Sequence, residues 1–430
     1  MSRKAMIAAL WAAALASPVA AATREEERAL HAARYGDVAP LVMALPHTRD
    51  RAFAALARAE IAAARMDAAG VRAALAAYLA ISDRYPARGA RLLSLAAYAA
   101  FAGGDYAAAA DDAARWRAAL GKGGDRHDID DADQLHVLAK LLATAPPMTV
   151  AARAATPLAT ERDAAGLLRG TTSINGIAQS GVLDTGANLS TVSASAAARL
   201  HLRMLDGSAS VGSATRDAVP VRIGVADEMR LAGFTFRNVP FLVLDDAALR
   251  IPLAGGYSID AIIGFPIFRE MGSITFAEGR FTPGLPADAA RSSPLRMHDS
   301  DLFVALRVGP DPVALQLDTG AGATSLSAEF AHDHPTLVAR LPQSDQRVAG
   351  AGGASAQRVA YWGDVPVGIG GSIVRLDRIP ILLGNPGDAD RKTYGTIGQD
   401  LLRRFASYTV DFRAMRFSAA PLESGNPGPR

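Results

Sequence analysis

Two kinds of periodicity divide the chain. From Thr23 to Ala145 apolar residues recur at helical spacing: Val71, Leu75, Tyr78 and Leu79 share a face in VRAALAAYLAISDRY, as do Leu135, Leu138, Leu141 and Leu142 in QLHVLAKLL. Breakers at Gly36-Asp37, Asp67 to Gly70 and Gly103-Gly104-Asp105 cut this region into helices joined by tight turns. Beyond residue 165 the helical period gives way to short β-branched runs bounded by Gly, Pro, Asn or Asp: VPVRIGV, FTFRNVPFLVL, SITF, LFVALRVG, IVRLDRIPILL and SYTVDF. Between the two lies TAPPMTVAARAATPLATERD, with Pro146, Pro147 and Pro157 and little period, which reads as a linker.

The strand-rich region repeats itself. GVLDTGANLS and LQLDTGAGAT place Asp184 and Asp318 after apolar residues, 134 positions apart, and the glycines that end IIG and TIG, Gly264 and Gly398, have the same separation. Each glycine precedes a short helical segment, FPIFRE or QDLLRR, and then a hairpin, GSITFAEGRF or ASYTVDFRAMRF. Small-residue stretches between these landmarks, DGSASVGSATRD and RVAGAGGASAQR, suit flexible hairpin tips. The expected organisation is multidomain: a signal peptide over 1–22, an all-α helical-hairpin array over 23–145, a linker over 146–165, an all-β bilobal fold with lobes over 166–281 and 301–420 joined by a linker over 282–300, and a flexible tail over 421–430.

The leader reading rests on Arg3 and Lys4, an apolar run from Ala5 to Ala16 and small residues at Ala20 to Ala22. That run is shorter than the roughly 20 residues a bilayer needs, so an exported protein, periplasmic or secreted, is expected, with an uncleaved anchor as the alternative. Half of the residues are hydrophobic, a fifth are charged, and 45 basic against 43 acidic residues leave a formal net charge of +2. This is a globular composition with no field to attract nucleic acid, or a membrane beyond the leader. The chain has no cysteine, which excludes disulfides, thiolate metal sites and a cysteine nucleophile.

Other polar clusters stay ambiguous. GGDRHDIDDADQLH alternates acids, yet lacks the glycine and closing glutamate of a calcium loop, and an acidic loop capping the next helix accounts for the same residues. His332 and His334 have no third ligand at a defined spacing. No metal and no cofactor are expected. The turn around Gly103-Gly104-Asp105 is similar to that of tetratricopeptide repeats, but steps of 30 and 38 between Asp37, Asp67 and Asp105 are irregular. Such an array serves as a scaffold or binds a protein partner.

Two LDTGA motifs, each followed by an apolar-apolar-glycine near the end of its lobe, resemble the aspartic proteases, and the short lobes resemble the retropepsin-like bacterial branch more than the larger pepsins. The resemblance implies an acid-protease fold and an endopeptidase acting on peptide or protein substrates, with Asp184 and Asp318 as the catalytic pair. It implies that Thr185 and Thr319 hydrogen-bond across the lobe interface, that Gly186 and Gly320 shape the catalytic loops, and that Gly264 and Gly398 lie in strands passing beside them. Neither flap stretch has the aromatic residue of a pepsin flap, so which side chains cover the substrate stays open. Two carboxyls at close quarters share one proton and supply acid and base together. The alternatives are a non-catalytic peptide-binding or regulatory module, for which a costly carboxylate pair has no use, and a carbohydrate or lipid enzyme, which needs no duplicated glycines.

Overall fold

In the computed structural model, which describes residues 18–81, 86–213, 216–251, 256–350, 353–384 and 393–422, helices give way to strands where the sequence period changes. Most of the expected signal peptide and the tail beyond Leu422 lie outside the described residues. Seven helices come first: Pro18–Arg34, Ala39–Ala44, Arg51–Ala64, Ala68–Leu79, Pro86–Gly103, Tyr106–Leu120 and Arg126–Leu142. Aspartates at the breaks cap several of them. Asp67 accepts from the Gly70 amide, Asp105 from Ala108, and Asp125 from His127 and Asp128, each such cap contributing about 1 kcal/mol. The acidic run at 125–133 therefore opens a helix, as the capping reading expects, and among the described residues no group of three or more His, Cys, Asp or Glu is placed to hold a metal.

The remainder is a β-rich, barrel-like assembly of two lobes related by the 134-residue offset. In the first, Ile177–Leu183 runs parallel to Ala261–Ile263, with Val182 opposite Ile262; in the second, Asp311–Leu317 runs parallel to Gly395–Ile397, with Gln316 opposite Thr396. A shared sheet zips the lobes together. Ser273–Ala277 pairs antiparallel with Phe405–Asp411, and at its centre Thr275 faces Thr409, their hydroxyls 2.8 Å apart. A local two-fold axis passes through this pair. One core runs through both lobes, from Leu183 and Phe268 to Leu317 and Phe417.

About half of each expected linker turns out to be strand. Within 146–165, Thr149–Arg153 lies along the edge strand position beside Phe234–Leu244, and Leu158–Arg162 pairs with both Leu168–Ile174 and Arg280–Pro283. Thr149–Arg153 is exposed at four of its five positions, so no alternation of apolar and polar residues marked it. Within 282–300, Ser292–His298 joins the shared sheet beside Arg416–Pro421 and then pairs with Asp301–Val308, so only 284–291 connects the lobes.

The helices rest on both lobes. Ala97, Phe101, Leu135, Leu138 and Leu142 pack against Leu189 and Ile223 of the first. Towards the second, Tyr35 stacks on Tyr394 with ring centres 4.3 Å apart, and the Arg91 guanidinium bridges Glu60 at 2.7 Å and Asp299 at 2.8 Å.

Candidate active site

Each LDTG segment continues a parallel strand pair by one residue. The Asp184 amide donates to the Ile263 carbonyl at 3.0 Å, and the Asp318 amide to Ile397 at 3.2 Å. The apolar-apolar-glycine element thus supplies the backbone rail on which each aspartate loop is laid. Gly264 and Gly398 follow on that rail where there is no room for a side chain: a β-carbon would sit 2.6 Å from the Ala187 carbonyl oxygen in one lobe and 2.4 Å from Ala323 in the other.

Between the loops the threonines interlock. The Thr185 amide donates to Thr319 Oγ1 at 2.9 Å and the Thr319 amide to Thr185 Oγ1 at 3.2 Å, while each hydroxyl donates across the interface, Thr185 to Leu317 O at 2.8 Å and Thr319 to Leu183 O at 2.7 Å. Both side chains are buried, so these bonds are shielded from water and each is hard to replace.

This grip brings the carboxyls of Asp184 and Asp318 within hydrogen-bonding reach of each other. Gly186 N donates to Asp184 Oδ1 and Gly320 N to Asp318 Oδ1, both at 2.8 Å. Each glycine also faces the opposite aspartate. A β-carbon at 186 would lie 2.6 Å from Asp318 Cγ, and one at 320 would lie 2.4 Å from Asp184 Oδ2. The glycines are needed for close approach, and neither has a left-handed backbone.

Asp184 and Asp318 are each half-buried. Burial pushes Asp184 well above the ordinary carboxyl value, and the neighbouring Asp318 charge and the hydrogen bond between them push the same way, against the amides of Gly186 and Gly320. Burial raises Asp318 as well, opposed by its hydrogen bonds to Asp184, Gly320 and Ala321. Two carboxyls held this close disfavour ionisation of both at once.

A family model described as aspartyl protease matches residues 171–267. The matched segment carries the first aspartate loop and Gly264, and it ends before the second loop. No curated protein matches the chain.

Further side chains support the loops, and of these Asp400, Gln399 and Arg162 escaped the sequence reading. Ser190 and Thr324, which stand near enough in sequence to fold back on the carboxylates, turn instead to the glycine rails: Ser190 Oγ accepts from Gly264 N at 3.1 Å and Thr324 Oγ1 from Gly398 N at 3.0 Å. In the second lobe Asp400 accepts from both the amide and the hydroxyl of Thr324 at 2.7 Å. Gln399 donates from Nε2 to the Thr319 carbonyl at 2.7 Å and accepts from Arg162 at 3.0 Å. Applying the 134-residue offset puts Phe265 and Pro266 opposite Gln399 and Asp400, and this mismatch within an otherwise matched repeat was the available signal. The histidines at 332 and 334 take no part: His334 stacks on Phe330 and its Nδ1 is 2.9 Å from the Phe330 carbonyl. The hairpins expected to cover the cleft are present as Ala209–Ser213 with Arg216–Leu231 and Gln343–Gly350 with Gly353–Ile369, their tips at 214–215 and 351–352 lying outside the described residues.

Proposed function

We propose that the protein is an aspartic endopeptidase whose catalytic residues are Asp184 and Asp318, acting on peptide or protein substrates after export. The observation that carries this reading is the pair of half-buried carboxyls within hydrogen-bonding reach, each with a glycine amide on one oxygen and both clamped by reciprocal threonines. Such a pair is costly to assemble and has one evident chemical use. The ionised carboxylate takes a proton from water as its oxygen attacks the scissile carbonyl carbon, and the protonated partner gives its proton to the carbonyl oxygen. A neutral tetrahedral diol results. Its collapse breaks the C–N bond as one hydroxyl proton returns to a carboxylate and the amide nitrogen takes a proton from the other, releasing acid and amine and restoring the shared proton.

Thr185, Thr319, Gly186 and Gly320 serve this cycle by fixing the separation of the two oxygen pairs, and Gly264 and Gly398 by seating the loops. Both aspartate loops lie in one chain, so the cleft needs no second copy.

Incubation with a mixed peptide library, with products identified by mass spectrometry, tests the reading. Wild-type protein is expected to cleave internal peptide bonds, and Asp184→Asn and Asp318→Asn each to lose activity by about 1,000-fold. Peptide binding without cleavage would replace the enzyme by a binding module.

A further inference from the structure

The two aspartate loops match in backbone and in their threonine grip, but what stands behind them differs. Behind the second loop, the Thr319 carbonyl accepts from Gln399 Nε2 at 2.7 Å, and Gln399 is only 1% exposed. The orientation of the Gln399 amide is fixed from its other end, because Arg162 has only donors and reaches Gln399 Oε1 at 3.0 Å. Arg162 also donates to the Gly166 carbonyl at 2.9 Å. It comes from Leu158–Arg162, a strand of the first lobe, so the support crosses between lobes.

The Thr319 carbonyl belongs to the peptide whose N–H, at Gly320, donates to Asp318 Oδ1 and also faces Asp184. A donor on a peptide oxygen draws electron density from its nitrogen, and a cation behind that donor adds to the effect, so the N–H becomes a stronger donor to an anion. In the first lobe Phe265 occupies the place of Gln399 and offers no donor to Thr185. Arg162 is itself faced by Glu278, Tyr408, Arg403 and Asp163, while the largest influences on the dyad are burial, the partner aspartate and the amides of Gly186, Gly320 and Ala321.

We propose that Gln399 and Arg162 are positioning residues that hold and polarise the Thr319–Gly320 peptide, so that the single negative charge of the dyad is favoured on the Asp318 side. The proposal rests on the aspartic-protease reading of the dyad. It makes Asp318 the base towards water and Asp184 the proton donor towards the substrate carbonyl. Gln399→Met removes the donor while keeping an unbranched side chain, Arg162→Met removes the cation, and Arg162→Lys restores a charged donor.

The experiment has two readouts on the same folded variants, checked by thermal unfolding. The first is kcat and KM against pH on a cleaved peptide. Gln399→Met and Arg162→Met are expected to move the acidic limb of kcat/KM upward by about 0.5 pH unit and to lower kcat about tenfold, with KM within about twofold and Arg162→Lys close to wild type. The second is the titration of the Asp184 and Asp318 carboxyl carbons by 13C NMR, assigned from the signals lost in the Asp→Asn variants, which is expected to shift by the same amount. Folded Gln399→Met and Arg162→Met proteins with wild-type titrations overturn the relay. Wild-type protein that cleaves nothing overturns the enzymatic reading instead, while the carboxyl titrations still decide whether the relay acts on the dyad.

Discussion

The first lobe is the one matched by the aspartyl protease model and packs on Phe101, Leu135 and Leu142 of the helices; the second meets the helices through Tyr394 and Asp299 and has its glycine rail supported by Asp400 and its loop by Gln399. Despite these different surroundings, the two loops agree atom for atom in what they do at the centre. Both aspartate amides bond to a rail carbonyl, both glycine amides bond to their own aspartate at 2.8 Å, and the threonines exchange equivalent bonds. The centre tolerates no departure because each loop is built against the other, with each glycine pressed on the opposite carboxyl. One residue past the rail glycines, at 265 and 399, the two copies diverge, and Arg162 of the first lobe bonds Gln399 of the second.

The sharpest way to break the comparison is at the glycines. Gly186→Ala and Gly320→Ala each drive a β-carbon into the opposite aspartate, and both are expected to lower kcat/KM at least about 100-fold. The losses should be alike in the two lobes, measured by steady-state kinetics on a cleaved peptide. A large loss at one glycine and none at the other would mean that the loops are not equivalent.

The next effect concerns the helices. Arg91→Met takes the cation from between Glu60 and Asp299, and a cost of about 3 kcal/mol is expected from thermal or urea unfolding. If the helices merely lean on the second lobe, the change will be near zero.

A smaller effect separates the rails. Thr324→Ala removes the acceptor for Gly398 N and one of the groups bound by Asp400, whereas Ser190→Ala removes only the acceptor for Gly264 N. Unfolding should show a cost of about 2 kcal/mol for the first and about 1 kcal/mol for the second. Equal costs would remove Asp400 from the account.

The smallest effect is a gain. Burial lifts both dyad carboxyls above their ordinary value of 3.8, so the protonated form is the one the fold favours. That contribution is complete below the unfolded-state value and is lost as pH rises through the raised folded values. At pH 7 the folded protein therefore carries a penalty that a neutral amide lacks. Asp184→Asn is expected to raise Tm by about 2–4 °C at pH 7 and to match wild type near pH 3, by calorimetry.

How much of this was legible in the sequence depended on whether a feature repeats. The 134-residue offset alone placed Asp184 against Asp318 and Gly264 against Gly398, and the register of the parallel strands follows it residue for residue. Phe234–Leu244, an aromatic and β-branched run behind Gly233, was readable to the residue. Thr149–Arg153 was not, because an exposed edge strand buries no face and leaves only the flanking Pro146, Pro147 and Pro157 to be read, and these look like a linker. Arg162 and Gln399 were hidden for another reason. They are 237 positions apart and meet only once the shared sheet has formed. The fate of Ser190 and Thr324 was likewise undecidable from spacing, since a hydroxyl six residues past an aspartate can reach either its carboxylate or the neighbouring glycine rail, and only the rail's position decides.

The central claim is that two carboxyls, one from each lobe, work with a single proton between them. It is tested most directly by kcat/KM against pH for the wild-type protein on one cleaved peptide. With alanines at 187 and 321 offering no hydroxyl to the carboxylates, and with burial raising both, the account predicts a bell-shaped profile peaking at roughly pH 4.5 to 6.5. A profile with one limb only, or an optimum at pH 2 to 3 as for carboxyls of ordinary acidity, would contradict it.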